Sequence, residues 1–205
     1  ALTAELGMTD HVQFVDRLVS QIEWAKKLVP GRIRLEVLIE TAPGLLEAQA
    51  IARSSPRLDS LIFGVADYAG EVGARDFKED GAQLFYYPRA HLLAAARAAG
   101  LDAIDSVTVQ VKDLARVGAD ARAAARLGFD GKWAIHPGQL SAIHDAFTPT
   151  PEEIERASQV VEAYARADTE AGLGAIVLGD EMIDAATLRV EERKLAIARK
   201  AGRLR

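Results

Sequence analysis

The chain has 205 residues, 49% hydrophobic and 27% charged, the balance of an ordinary globular protein, which excludes a disordered polypeptide and allows one domain plus an appendage. Twenty-five Lys and Arg against 30 Asp and Glu leave a net charge of −5, and without a basic cluster nucleic acid is not an expected partner, because neutralising phosphates takes clustered cations. The absence of cysteine removes disulfides, zinc ribbons and thiol nucleophiles together, and no apolar run nears the roughly 18 residues that would cross a bilayer, so no membrane association is expected.

The first residues lack the basic start and apolar core of a signal peptide, which makes the cytoplasm the expected compartment. Apolar residues then recur at helical spacing over 10–28, and Pro30-Gly31 stops the run. Residues 32–39 read as a strand ending at Glu40-Thr41. Thr41 can cap the next helix and Pro43 suits its first turn; that helix is expected to last until Ser54-Ser55-Pro56. A second strand is predicted over 58–66, ending at Asp67, followed by a long polar loop over 70–84. A helix over 88–99 stops at Gly100, a strand covers 101–109, and an Ala- and Arg-rich helix runs to Leu127-Gly128. A last strand over 132–135 ends in His136-Pro137, and a short helix leads to Phe147. Four strand–helix repeats without hairpin signals predict parallel βα units, whose strands are covered on both faces and so read as nearly continuous apolar runs.

After Phe147 the character changes. A proline-stiffened linker leads into a capping box, Thr150 answered by Glu153, and a helix to about Ala167. A short apolar stretch over 174–179 and a charged helix over 185–202 complete the chain. The expected organisation is a βα body over 1–147 and a C-terminal arm over 148–205.

In parallel βα folds chemistry collects where strands end. Glu40, Asp67 and His136 stand at three such ends. Two carboxylates from neighbouring strand ends suit Mg2+, which takes a pair of carboxylates and fills its other positions with water and substrate oxygens. Zinc is not expected from a chain with no Cys and four His. Each carboxylate also has a plain reading, Glu40 as a charge favoured by the following helix dipole and Asp67 as a turn residue bonding its own backbone. Periodicity does not choose between them.

Five strings occur in order: Leu-Ile-Glu-Thr-Ala-Pro-Gly (38–44), Ser-Pro-Arg-Leu-Asp (55–59), Phe-Gly-Val-Ala-Asp-Tyr (63–68), Ala-Ile-Asp-Ser-Val (103–107) and Leu-Gly-Phe-Asp-Gly-Lys-Trp-Ala-Ile-His-Pro-Gly-Gln (127–139). With Phe147-Thr148-Pro149 and Gly179-Asp180-Glu181-Met182-Ile183-Asp184, they resemble the citrate lyase β-subunit/malyl-CoA lyase family of the aldolase/citrate lyase superfamily. The resemblance implies an α/β fold, a TIM (β/α)8 barrel of which the last four βα units are present, with a C-terminal helical arm. It implies a Mg2+-dependent carbon–carbon lyase that cleaves or forms a 3-hydroxyacyl-CoA thioester, such as malyl-CoA, β-methylmalyl-CoA or citramalyl-CoA. The products are an acyl-CoA and a 2-oxo acid, with CoA entering as part of the substrate. Glu40 and Asp67 match the metal ligands. Asp184 matches an acid/base residue that family members insert into a neighbouring subunit, although from the residues alone it reads as the N-cap of the last helix. His136 and Pro137 match the loop lining the CoA side, and His136 also reads as a plain packed histidine. Asp105 is expected to be a buried hydrogen-bond acceptor, and the segment around Tyr86-Tyr87-Pro88-Arg89 either shapes acyl specificity or simply starts a helix.

The family's first barrel half, with its Asp-Leu-Glu-Asp segment and its substrate-binding Arg, has no counterpart among these residues. A body ending near residue 147 is also short of the roughly 250 residues of a (βα)8 enzyme, so a piece of a longer polypeptide is expected. A thioesterase of the same family and a non-catalytic assembly module are the alternatives. The arm's reach into a neighbour implies a homo-oligomer, a trimer or hexamer.

Overall fold

The computed structural model describes residues 9–78, 84–171 and 174–204. The chain divides into two compact units with the boundary between Phe147 and Thr148. In the first unit α1 (Thr9–Ala25) buries Val12, Val15 and Val19, one face of a 3.6-residue period. Its other apolar residues, Phe14, Leu18 and Ile22, stay exposed. One further buried residue of α1 is charged. The Glu23 carboxylate accepts the N–H groups of Gly31 and Ile33, both at 2.8 Å, and receives the Arg57 guanidinium at 3.0 and 2.7 Å. Arg57 also donates to Asp16 at 2.6 Å and to Ser20 at 2.9 Å. The Arg57 hydrogen bond and the Ile33 N–H, against the opposing effect of burial, hold the Glu23 carboxyl down at about 2. This network ties α1 to the segments that enter the first two strands.

The sheet is built from β1 (Leu35–Ile39), β2 (Leu58–Phe63), β3 (Asp102–Asp105) and β4 (Gly131–Lys132), all parallel and in sequential order. Between them run α2 (Ala42–Leu46), α3 (Ala48–Ala52), α4 (Val65–Glu71), α5 (Tyr86–Ala99) and α6 (Leu114–Leu127). A 3₁₀ turn (Pro137–Gln139) and α7 (Leu140–Phe147) close the unit. Leu35, Val37, Ile39, Leu61, Phe63 and Ala103 of the sheet pack into one core with Val15, Leu45, Ile51, Leu92 and Ala96 of the helices. Burying such side chains removes apolar surface at about 25 cal/mol per Å2, the main favourable contribution to folding. The alternate residues, Leu38 and Ile62 among them, point to the opposite face of the sheet.

The expected βα alternation holds, and its boundaries shift for identifiable reasons. The helix expected up to Pro56 is two short helices broken at Glu47 (φ −92°, ψ 5°), with Leu45 and Ile51 reaching the core on either side of the break. β2 stops at Phe63 instead of running to Ala66. Residues 65–71 form α4, which buries Val65 and Ala69 four residues apart, so Asp67 stands in a helical first turn and not at a strand end. The loop expected over 70–84 therefore begins only after α4, and residues 79–83 lie outside the described residues, as do residues 1–8 on which the signal-peptide reading partly rests. β3 is shorter than the strand expected over 101–109 because β4 offers two residues for pairing. Beyond them side chains replace the ladder: Lys132 Nζ donates to the Ser106 carbonyl at 2.6 Å and Gln139 Nε2 to the Thr108 carbonyl at 2.8 Å.

The second unit starts with α8 (Pro151–Ala171). Its capping box is present as expected, the Thr150 N–H donating to Glu153 at 2.8 Å and the Glu153 N–H to Thr150 Oγ1 at 3.2 Å. It is not helical throughout. β5 (Ala175–Leu178) and β6 (Glu181–Asp184) form an antiparallel hairpin. The two-residue turn Gly179-Asp180 has a positive φ of 71° at Gly179 alone, the pattern of a type II′ turn that only glycine enters freely. α9 (Ala185–Lys200) packs along α8, with Ala157, Val160, Leu195 and Ala198 buried.

Candidate active site at the ends of the strands

Glu40 follows β1 and Gly64 follows β2, adjacent through the register Ile39–Phe63 and the Gly64 N–H to Ile39 carbonyl bond of 2.9 Å. A Cβ on Gly64 would lie 2.5 Å from Glu40 Cβ and 3.0 Å from Glu40 Oε2. The half-buried Glu40 side chain thus lies across the glycine backbone at the start of α4. Within α4, Asp67 and Glu71 are four residues apart and share one face. Glu71 Oε2 accepts the Ala42 N–H at 2.7 Å, which turns that face toward the segment carrying Glu40. Thr41 caps α2 as expected, its Oγ1 accepting the Gly44 N–H at 3.1 Å. The strand-end carboxylate Glu40 and the first-turn carboxylate Asp67 are thereby gathered on neighbouring, mutually anchored segments.

Among the described residues no group of three or more His, Cys, Asp and Glu is arranged to hold a metal. A pair of carboxylates without imidazole or thiolate is an oxygen donor set that fits a hard divalent cation retaining several waters, and does not fit zinc. The space left by the missing Gly64 side chain is what admits Glu40 to this position.

His136 and Pro137 lie beyond β4, at the same edge of the parallel sheet. The packed-histidine reading of His136 is corrected: the residue is exposed, and its Nδ1 accepts the Gly138 N–H at 3.0 Å, capping the 3₁₀ turn in which Pro137 is the first residue. Gln139 takes the buried place instead, accepting the Ile135 N–H at 3.0 Å. With Nδ1 engaged as acceptor, the neutral ring carries its proton on Nε2.

Asp184 is in the second unit, at the N-cap of α9. Its Oδ1 accepts the Ala186 and Thr187 N–H groups at 2.9 Å each and the Thr187 hydroxyl at 3.1 Å. The Thr187 N–H and hydroxyl bonds hold its carboxyl below the usual aspartate value.

Two arrangements escaped the sequence reading. Asp105 is the buried acceptor expected, but its donors were not identified: Arg89 Nε and Nη2 at 2.7 and 3.0 Å and Lys132 Nζ at 3.2 Å, with Arg89 also 5.6 Å over the Phe129 ring. These partners are 16 and 27 residues away in sequence, beyond any local pattern. The second is Glu71, for which the four-residue spacing from Asp67 was an available signal. No helix among the described residues is long and apolar enough to cross a membrane.

The sequence profile of the HpcH/HpaI aldolase/citrate lyase family matches residues 6–137. The L-malyl-CoA/beta-methylmalyl-CoA lyase of Rhodobacter capsulatus is 34% identical over 203 residues, an alignment covering 92% of this chain and 63% of that protein. A citrate lyase from Burkholderia xenovorans superposes with a TM-score of 0.82 at 25% identity, covering 95% of this chain and 62% of that one. The protein CitE from Mycobacterium tuberculosis, in complex with magnesium, acetoacetate and coenzyme A, gives 0.70 at 27% identity over 80% of this chain and 61% of its own. The chain therefore spans less than two thirds of the length of the relatives it matches. By the profile match across most of its βα body, it belongs to the HpcH/HpaI aldolase/citrate lyase family.

Proposed function

We propose that this chain carries the metal-binding half of a Mg2+-dependent carbon–carbon lyase that cleaves or forms a 3-hydroxyacyl-CoA thioester, its four βα units belonging to a (β/α)8 barrel. The observation that carries the reading is the Glu40 side chain laid across Gly64, beside the helix that bears Asp67. The names of the relatives, a malyl-CoA lyase and a CitE bound to magnesium and coenzyme A, support the same chemistry.

Glu40 and Asp67 would hold the Mg2+, which supplies Lewis-acid stabilisation of the charge that develops on the oxygens of the 2-oxo acid. Gly64 keeps the Glu40 carboxylate at its post, and the α4 first turn presents Asp67 to solvent and substrate. His136 offers an outward Nε2–H at the same edge, suited to a carbonyl of the CoA arm. In cleavage a general base takes the proton of the substrate hydroxyl, the bond to the acyl α-carbon breaks with its electron pair passing to that carbon, and the carbon takes up a proton. Asp184 is the group assigned to exchange this proton. Its lowered pKa keeps it ionised, the form that withdraws a proton from the acyl-CoA in the condensation direction. Returning that proton in cleavage requires the carboxyl to be protonated, and so to loosen its hold on the Ala186 and Thr187 N–H groups. In this reading the arm over 148–205 reaches a neighbouring subunit of a homo-oligomer, a trimer or hexamer.

The test is product analysis on a panel of malyl-CoA, β-methylmalyl-CoA and citramalyl-CoA, with Mg2+ and with chelator, for wild type, Glu40→Gln and Asp67→Asn. Chelator-sensitive release of an acyl-CoA and a 2-oxo acid, lost in both variants, is the expected result. Free CoA as the product would make the protein a thioesterase. Mg2+ binding unaffected by either substitution would overturn the metal site.

A further inference from the structure

The carboxylate of Glu71 has no place in the proposed metal pair, yet its hydrogen bond joins the two segments that carry the pair. The Ala42 N–H that it takes belongs to the first residue of α2, a donor with no partner inside its own helix. The cap residue Thr41 serves Gly44 instead, so Glu71 and Thr41 divide the start of α2 between them. Ala42 is two residues from Glu40, and Glu71 is one helical turn from Asp67. α4 is thus attached to the Glu40 segment twice, near its start by the Gly64–Ile39 hydrogen bond and at its end by Glu71. A further attachment narrows the rotation of a helix about its own axis. On its core side α4 is held by buried Val65 and Ala69 and by Tyr68 packed on Phe63 and Phe85, and on the side that carries Asp67 the Glu71 bond is the attachment next to it. Rolling α4 would swing Asp67 with respect to Glu40, and Mg2+ demands near-ideal octahedral geometry of its ligands.

We propose that Glu71 is a positioning residue that sets the direction of Asp67 relative to Glu40, so that Mg2+ affinity depends on a carboxylate that does not touch the ion. The inference rests on Glu40 and Asp67 being the Mg2+ pair, and the experiment separates the two claims. Mg2+ is titrated calorimetrically into the protein as wild type, Glu71→Ala, Glu71→Gln, Glu40→Gln and Asp67→Asn, and the exchange of the Ala42 amide is followed by NMR. Glu71 is exposed, so its variants keep the fold, which thermal melts verify. Glu71→Ala is expected to weaken Mg2+ binding about 10-fold, the lower end of what losing a partner that orients a ligand costs, and to deprotect the Ala42 amide. Glu71→Gln keeps an acceptor oxygen without the charge and is expected to restore affinity to within about threefold of wild type. Glu71→Gln as weak as Glu71→Ala would overturn the proposal in favour of a plain charge effect. Wild-type affinity in Glu71→Ala, with Glu40→Gln and Asp67→Asn both weakened, would overturn the positioning role alone. Wild-type affinity in Glu40→Gln and Asp67→Asn would overturn the metal pair and the positioning role with it.

Discussion

Replacing Gly64 by alanine is the most direct probe of the proposed metal site, because the perturbation is a single methyl group whose neighbours are known. The new Cβ would stand 2.5 Å from Glu40 Cβ, 3.0 Å from its Oε2 and 3.3 Å from Leu38 Cδ1. Carbon atoms pack at about 3.5–4.0 Å, so about 1 Å of separation must be found. The Oε2 contact can be relieved by rotating the Glu40 side chain. The Cβ contact cannot, because no side-chain torsion moves a Cβ relative to its own backbone. Either the end of β1 or the start of α4 has to shift, against the register Ile39–Phe63 and the Gly64–Ile39 hydrogen bond. Overpacking of this kind costs about 1–3 kcal/mol, which for a chain of this size lowers Tm by about 2–12 °C. A shift of that size between two ligands is large beside the tolerance of Mg2+ coordination, and affinity is expected to fall at least about 10-fold. Calorimetric Mg2+ titration and a thermal melt, run side by side, measure both effects. Gly70→Ala is the internal control, since it lies in the same helix and a Cβ there meets nothing within 4 Å. It should bind Mg2+ as wild type does and melt at the same temperature or slightly higher, as glycine-to-alanine changes in helices do. If Gly64→Ala binds Mg2+ with wild-type affinity and melts like Gly70→Ala, Glu40 is not held over Gly64 and the site as described is wrong.

Three further outcomes are expected. Asp105→Ala leaves Arg89 and Lys132 without the carboxylate that both share in the interior; breaking a buried ion pair on one side costs about 3–5 kcal/mol, and a urea unfolding midpoint close to wild type would refute that. The Glu23 carboxyl, held at about 2 against an ordinary 4.5 by Arg57 and the Ile33 N–H, contributes stability that is complete above pH 4.5 and is lost as pH falls toward 2; Glu23→Gln should flatten the dependence of the urea midpoint on pH across that window, and an unchanged slope would show that other groups govern acid unfolding. Asp184→Asn preserves an N-cap because asparagine caps as well as aspartate, so its melt should match wild type while solvent deuterium incorporation into the acyl-CoA α-carbon is lost; incorporation at the wild-type rate would leave Asp184 as a cap and nothing more.

The alternation of strands and helices was readable because apolar runs and helical periodicity are local properties, and each βα unit buries its own. What failed was where one period gives way to another. Val65 and Ala66 continue the apolar run of β2, and nothing in that run marks Phe63 as the last strand residue; the helix that follows is visible only once Val65 and Ala69 are seen buried on one side. The packed reading of His136 fails for a related reason. An imidazole next to Ala134 and Ile135 invites burial, but Pro137 starts a tight turn that carries it outward while Gln139 fills the interior. The donors of Asp105 were out of reach for a different reason, being supplied by α5 and β4 and brought to it only by the completed sheet.

The proposed metal site shows the same division on a smaller scale. Glu40 and Asp67 could be nominated from the sequence because carboxylates have chemistry that can be recognised residue by residue. Gly64 and Glu71 are harder to nominate: the space a glycine leaves matters only where another segment approaches it, and the N–H that Glu71 holds is brought to it by the fold, its spacing from Asp67 being the one local signal. Yet the placing of the two carboxylates depends on them: the vacancy at Gly64 is where the Glu40 side chain lies, and the Glu71–Ala42 bond ties the end of the helix under Asp67 to the segment that follows Glu40. Two carboxylates near strand ends are a common accident of composition. Two carboxylates with a glycine cut to fit one and a clamp orienting the other are a more specific arrangement, and that is the stronger argument that these residues serve a cation.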